Sequence, residues 1–234
     1  MTRSRIKRRL RAVRRRLLEE YGEPPRKRRD PVDVLIGTIL SQNTTDKNAH
    51  EAFRRLKERF RAWEEAADAP VEEIVEAIKV AGLSNIRGPR IKRILQQIRE
   101  REGRVSLARL GKLSPKDALR ELLSFDGVGP KTARCVLLFA FDMDVFPVDT
   151  HILRISKRLG LVPPNCTQER AHEILEPAVP KGAALDLHLN MIAHGRLVCR
   201  PRDPDCEECV LLDLCPHGRE LLGLKPRRRR STHS

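Results

Sequence analysis

Lys131 and Asp149, eighteen residues apart, are the pair in this sequence best suited to covalent chemistry. Lys131 follows a glycine turn in Leu122-Leu123-Ser124-Phe125-Asp126-Gly127-Val128-Gly129-Pro130-Lys131-Thr132-Ala133, and Asp149 stands in Phe146-Pro147-Val148-Asp149-Thr150-His151. A lysine amine is a nucleophile only when neutral, which asks a free pKa of about 10.4 to fall by roughly two or three units at pH 7. The start of a helix and partial burial both push in that direction. One helix and a turn could bring the carboxylate to the amine, where it would stabilise developing positive charge and assist proton transfers. A surface ion pair worth under about 1 kcal/mol, or an Asp149 that merely caps the helix starting at Thr150, would account for the same residues.

Two further constellations carry chemistry. Gly127 and Gly129 flank Val128 between two apolar-faced helices, and glycine enters left-handed conformations without strain. Main-chain N–H groups can then point outward at the start of the next helix, near Thr132, and favour an anion such as phosphate. Any tight turn in a helical protein could use the same glycines. Cys199, Cys206, Cys209 and Cys215, spaced C-x6-C-x2-C-x5-C, are compact enough for one metal centre. Disulfides do not suit a reducing compartment, and the spacing leaves zinc and a 4Fe–4S cluster equally open. Cys135 reads as a core thiol, and Cys166 receives no assignment.

The elements that must position these residues read as helix after helix, with no convincing period-2 strand, so the fold class is all-α. Asp30-Pro31-Val32-Asp33 starts a helix faced by Leu35, Ile36, Ile39 and Leu40. Thr44 or Thr45 caps another, carrying Ala49, Ala52, Phe53, Leu56 and Phe60. Pro70 opens a third that ends at Gly82-Leu83; Ile91, Ile94, Leu95 and Ile98 mark a fourth, and Ser114-Pro115 starts a fifth. Beyond the hairpin, helices begin at Thr150 and Thr167, and Leu185 to Val198 forms the last long one, directly before the four cysteines.

The formal net charge of +15 points to a polyanionic partner, but residues 1–16 hold nine Lys/Arg and residues 225–234 five, with no acid in either, which leaves about +1 for the body. The sequence leaves open whether the basic termini are ordered or are solvated, disordered tails, and even as flexible arms they can strengthen sequence-independent binding to nucleic acid. No apolar run approaches a membrane span and the N-terminus is too basic for a signal peptide, so a soluble, intracellular (cytoplasmic, nucleoid-associated) protein is expected.

The phrase from Leu122 to Ala133 matches every position of Leu-x-x-φ-x-Gly-φ-Gly-x-Lys-Thr-Ala (φ, apolar), and thus resembles the helix-hairpin-helix element of the endonuclease III superfamily of DNA glycosylases. Val148-Asp149-Thr150-His151 and the cysteine spacing resemble the same family without a gap, over roughly residues 30–217. The resemblance implies a base-excision repair enzyme with Lys131 and Asp149 catalytic, and a 4Fe–4S cluster on Cys199, Cys206, Cys209 and Cys215. It implies two helical domains: a six-helix barrel with the hairpin at 31–143, and a cluster domain from 1–30 plus 144–234. DNA contacts would come from Gly127, Val128, Gly129, Thr132 and His151, and from Arg200 and Arg202 in the cluster loop.

A damaged nucleotide must be rotated out of the duplex, and by resemblance the gap is filled from Leu40 to Asp46 and from Ala81 to Asn85. Asn43 is assigned the polar plug and Leu83 the apolar wedge; the family's bacterial pattern commonly has glutamine at the position of Asn43, a part that neighbouring Gln42 could take. Adenine-specific members carry a carboxylate where Gly37 stands here and lack the lysine. The implied activity is a glycosylase with abasic-site lyase activity on oxidised pyrimidines in duplex DNA, acting as a monomer. A glycosylase for mismatched thymine, uracil or 5-methylcytosine, and a catalytically inactive DNA-structure binding module, stay open beside it.

Overall fold

The computed structural model describes residues 2–224, and in it the basic N-terminus is a helix, α1 (Arg3–Tyr21). The sequence leaves the order of this segment open; in the structure Ile6, Leu10, Val13 and Leu17, spaced by three and four, are all buried and tie it down. The other basic segment, residues 225–234, lies outside the described residues. The described chain forms two compact units, one made of the chain up to Arg26 together with the chain from Phe146, the other of Lys27–Val145.

Within Lys27–Val145, α2 (Pro31–Leu40) starts as its sequence predicts, with the Asp30 carboxylate accepting the Val32 and Asp33 amides at 2.9 and 3.1 Å. Of the two candidate threonines, Thr45 caps α3 (Asp46–Arg59). The short α4 (Trp63–Asp68) has no counterpart in the sequence reading: six residues are too few to show a period, yet Trp63, Ala66 and Ala67 are buried and Trp63 Nε1 donates to Asp33 Oδ1 at 2.8 Å. After α5 (Val71–Ala77) comes α6 (Ser84–Glu102), approached so closely at Gly88 that an added Cβ would lie 2.5 Å from Val75 Cγ2. Then α7 (Pro115–Leu123) leads through the glycine turn to α8 (Pro130–Phe141). α8 packs along the apolar α2, which makes it the central helix of this unit and a rigid mount for whatever its first turn presents.

In the other unit, α9 (Thr150–Arg158), α10 (Gln168–Leu175), α11 (Ala184–Leu197) and α12 (Pro216–Leu221) follow in order. α11 is the hub, with α1 and α9 both packed on it. A two-toothed ion pair from Arg14 to the buried Asp186 and bonds from Asn190 Nδ2 to the Leu17 and Gly22 carbonyls hold α1 in place. No β-strand occurs among the described residues, in keeping with the all-α expectation. No helix among them is long and apolar enough to cross a membrane.

Candidate active site and cysteine loop

Lys131 is the second residue of α8, half-buried, and directly follows Pro130 in the first turn. Gly129, the residue before that turn, makes no side-chain cap, so the amide end of α8 is left open to an anion. The two glycines do different jobs. Gly127 has φ +81° and needs its left-handed freedom; Gly129 has φ −85°, which any residue adopts, and has nothing within 4 Å of where a Cβ would be. Val128 turns inward, buried, with its N–H on the Phe125 carbonyl at 3.1 Å. Thr132 is 3 % exposed and its hydroxyl lies 3.4 Å from Gln42 Nε2. The outward face of the hairpin is therefore Gly127 and Gly129, and the side chains of Val128 and Thr132, expected at DNA, serve the core beneath it.

The two segments assigned to the wedge are held by one residue that the sequence reading passed over. Arg87 is 3 % exposed, and its guanidinium donates to the Ala81 and Gly82 carbonyls at 2.9 and 3.0 Å and to the Gln42 carbonyl. A buried guanidinium bonded to carbonyls of both loops fixes Gln42-Asn43 and Gly82-Leu83 as one surface. Asn43 and Leu83 both sit in the left-handed region, at φ 50° and 51°, and Leu83 and Ile86 are exposed, at 54 and 58 %. These loops thus combine left-handed backbone with exposed apolar side chains.

In the other unit, Asp149 is half-buried and does cap α9: its Oδ1 accepts the Ile152 amide at 2.8 Å. Its Oδ2 makes no hydrogen bond or salt bridge among the described residues. The extended segment before it is pinned residue by residue. Phe146 N donates to Glu176 Oε2 at 2.8 Å, Val148 N to His172 Nε2 at 2.9 Å, Gln168 Nε2 to the Val148 carbonyl at 2.6 Å, and His188 Nδ1 meets the Pro147 carbonyl at 2.9 Å. Arg154 then joins this helix to the cysteine loop through the Cys199 and Gly195 carbonyls, at 2.9 and 2.7 Å, with His151 Nδ1 at 3.1 Å. His151 lies against Gly195 of α11, where an added Cβ would come within 2.8 Å of it.

Cys199, Cys206, Cys209 and Cys215 line one small pocket, with a free volume of about 20 Å³. Three of their sulfurs face nitrogen: Arg158 Nη1 lies 3.2 Å from Cys199 Sγ, Gly218 N 3.4 Å from Cys215 Sγ, and His194 Nε2 3.5 Å from Cys209 Sγ. Burial pushes the Cys209 thiol up to about 11 and those of Cys206 and Cys215 upward as well. Arg200, expected to face DNA, folds back onto its own loop, donating to the Leu197 and Asp203 carbonyls at 3.0 and 2.9 Å. Arg202 is exposed, with no carboxylate partner among the described residues.

Comparison with known proteins supplies the family. The description HhH-GPD superfamily base excision DNA repair protein matches residues 36–181. Endonuclease III of Thermotoga maritima is 38% identical over 189 residues, covering 81% of this chain and 84% of that protein. The chain belongs to the endonuclease III family. A putative DNA glycosylase of Arabidopsis thaliana is 37% identical over 166 residues, 71% of this chain, which spans 57% of that protein's length. Among solved structures, endonuclease III trapped as a covalent intermediate with DNA superposes with a TM-score of 0.81 at 28% identity, covering 92% of this chain and 98% of that one. As a member of this family the chain is a base excision DNA glycosylase.

The donor set of the cysteine loop, four thiols lining one pocket, is of the chemical kind that an iron–sulfur cluster takes. Among the described residues no three His, Cys, Asp or Glu side chains close on a single ion, although the four thiols share one pocket. Gly218 borders the same pocket, and a Cβ there would stand 3.2 Å from Leu212 Cδ1, 3.4 Å from Cys206 Sγ and 3.7 Å from Cys215 Sγ. N–H groups aimed at sulfur favour thiolates over thiols. What sequence reading missed is a set of cations, the buried Arg87 and the half-buried Arg154 and Arg158, together with His194. Arginine is so common along the chain that nothing local sets these apart; only for His194, five residues before Cys199, was there a positional hint.

Proposed function

We propose that this protein removes a damaged base from duplex DNA and cleaves the resulting abasic site by β-elimination, with Lys131 as nucleophile. The observation that carries the reading is a half-buried lysine on the open first turn of α8, directly after a hairpin whose outward face is glycine. A phosphate of the DNA backbone bound at that turn would hold the adjoining sugar near the amine. Lys131 then attacks C1′ as the base leaves with the glycosidic electron pair and takes up a proton. The sugar ring opens to an imine on Lys131, a C2′ proton is removed, its electrons flow into the imine, and the 3′ phosphate departs. Asp149, with Oδ2 uncommitted, stabilises positive charge on the sugar and moves protons. The relative trapped as a covalent intermediate with DNA supports a covalent step.

Asn43 and Leu83, with Gln42 beside them, fill the space of the displaced nucleotide, and Arg202, His151 and the glycine turn meet phosphates. Cys199, Cys206, Cys209 and Cys215 would hold a 4Fe–4S cluster, which when bound supplies a fixed shape for the loop. The lysine argues for a lyase and does not set the base; the substrate class proposed, oxidised pyrimidine, rests on the resemblance to endonuclease III.

Borohydride trapping tests the reading, on duplexes bearing thymine glycol, an abasic site or a G·T pair. A covalent adduct with thymine glycol and abasic duplexes that is lost in Lys131→Ala is the expected result. Free base from G·T without adduct or strand cleavage would replace it with a mismatch glycosylase, and binding with neither product would leave a DNA-structure binding module.

A further inference from the structure

We infer that His194 is a positioning residue for the cysteine loop, oriented by Tyr21 and donating a hydrogen bond from Nε2 to Cys209 Sγ. The inference rests on the reading that these cysteines hold a cluster. His194 is 1 % exposed on α11, with Nδ1 2.9 Å from the Tyr21 hydroxyl and Nε2 3.5 Å from Cys209 Sγ. The Tyr21 ring meets the imidazole edge-on, centroids 6.0 Å apart, so both direction and tilt of the histidine are set.

Two proton arrangements satisfy a neutral imidazole between a hydroxyl and a sulfur. In one, Tyr21 donates to Nδ1 and Nε2–H donates to sulfur; in the other, Nδ1–H donates to Tyr21 and a thiol proton on Cys209 points at Nε2. A cysteine that ligates iron has no proton, so the second arrangement would set a bare nitrogen lone pair against a thiolate. Only the first survives. The same residue also holds the start of the loop, because its carbonyl accepts the Cys199 amide at 2.8 Å. His194 thus touches two of the four cysteines, one through its backbone and one through its ring.

An N–H donor aimed at a ligating sulfur draws electron density from the cluster, raising its reduction potential and making oxidative loss harder. Tyr21, the last residue of α1, gives the N-terminal helix a direct part in that tuning.

The test uses the full-length protein isolated with its cluster, compared with His194→Leu, which has no donor, His194→Gln, which restores an amide N–H, and Tyr21→Phe, which keeps the ring. Iron and sulfide content, reduction potential by protein-film voltammetry without DNA, the rate of bleaching by ferricyanide and the thermal midpoint are measured on each. His194→Leu is expected to lower the potential and bleach about tenfold faster, the lower end of what losing an outer-shell partner costs. His194→Gln should recover most of both, and Tyr21→Phe should shift both the same way by less. If the variants lose thermal stability but keep the wild-type potential, or if the glutamine is no better than the leucine, the inference is overturned while the cluster stands. A wild-type protein without iron and sulfide would overturn the cluster assignment and this inference with it.

Discussion

Asp149 carries two duties on one side chain, and they separate by substitution. Oδ1 caps α9 through the Ile152 amide, and Oδ2 is uncommitted. Asparagine caps a helix about as well as aspartate but carries no charge. Asp149→Asn is therefore expected to keep thermal stability within about 1 kcal/mol while base release slows by about 10²–10³, the size of losing one preorganised electrostatic group. Equal turnover by the two proteins in a single-turnover assay would leave Asp149 as a cap alone. Lys131, Asp149 and the four cysteines were legible in sequence because each sits in a short contiguous phrase whose residue types have few other uses together. Arg87 and Arg154 were not, because their meaning lies in which carbonyls they reach, six to forty-five residues away for Arg87 bonds to Ala81 and Gln42. No local pattern encodes that.

At the scale of the element, legibility followed length and caps. α2, α3, α9 and α10 all begin at side-chain caps that accept a main-chain amide, and each was placed from sequence. α6 begins at Ser84, ahead of its apolar run, because left-handed Leu83 starts it and Pro89 inside it reads as a break. α4 and α12, six residues each, were too short to show a period. The hairpin between α7 and α8 makes the sharpest prediction at this scale. Gly127→Ala forces a side chain into φ +81° and sets a Cβ within 2.8 Å of Arg90 Nε, so a stability loss of at least about 1–2 kcal/mol is expected in chemical denaturation. Gly129→Ala has ordinary dihedrals and open space around it, so folding should be unchanged. If a DNA phosphate approaches that backbone, the methyl will nevertheless weaken binding to an abasic duplex; undiminished affinity would remove the anion from this turn.

At the scale of the whole molecule the question is what the net charge of +15 is for. Taken as composition, the nine basic residues of positions 1–16 look like a single electrostatic feature, but α1 divides them. Arg9 and Arg16 donate to carbonyls around the cysteine loop, those of Leu159 and Val210 each at 2.8 Å, and Arg14 holds Asp186. Arg5, Lys7, Arg8 and Arg11 stay exposed. The buried stripe decides the helix's worth: four apolar side chains at about 1.5–3 kcal/mol each come to roughly 6–12 kcal/mol, the scale of a domain's entire stability. A tail and a structural helix thus differ in a measurable way. Leu10→Ala is expected to cost about 2–5 kcal/mol in thermal or urea unfolding, whereas Arg8→Gln should stay within about 0.5 kcal/mol. Were the segment only an arm, the order would reverse in character: Leu10→Ala would leave unfolding unchanged, and Arg8→Gln would show itself solely as a shallower salt dependence of DNA binding, by about 0.9 in log–log slope for each phosphate that the side chain had neutralised.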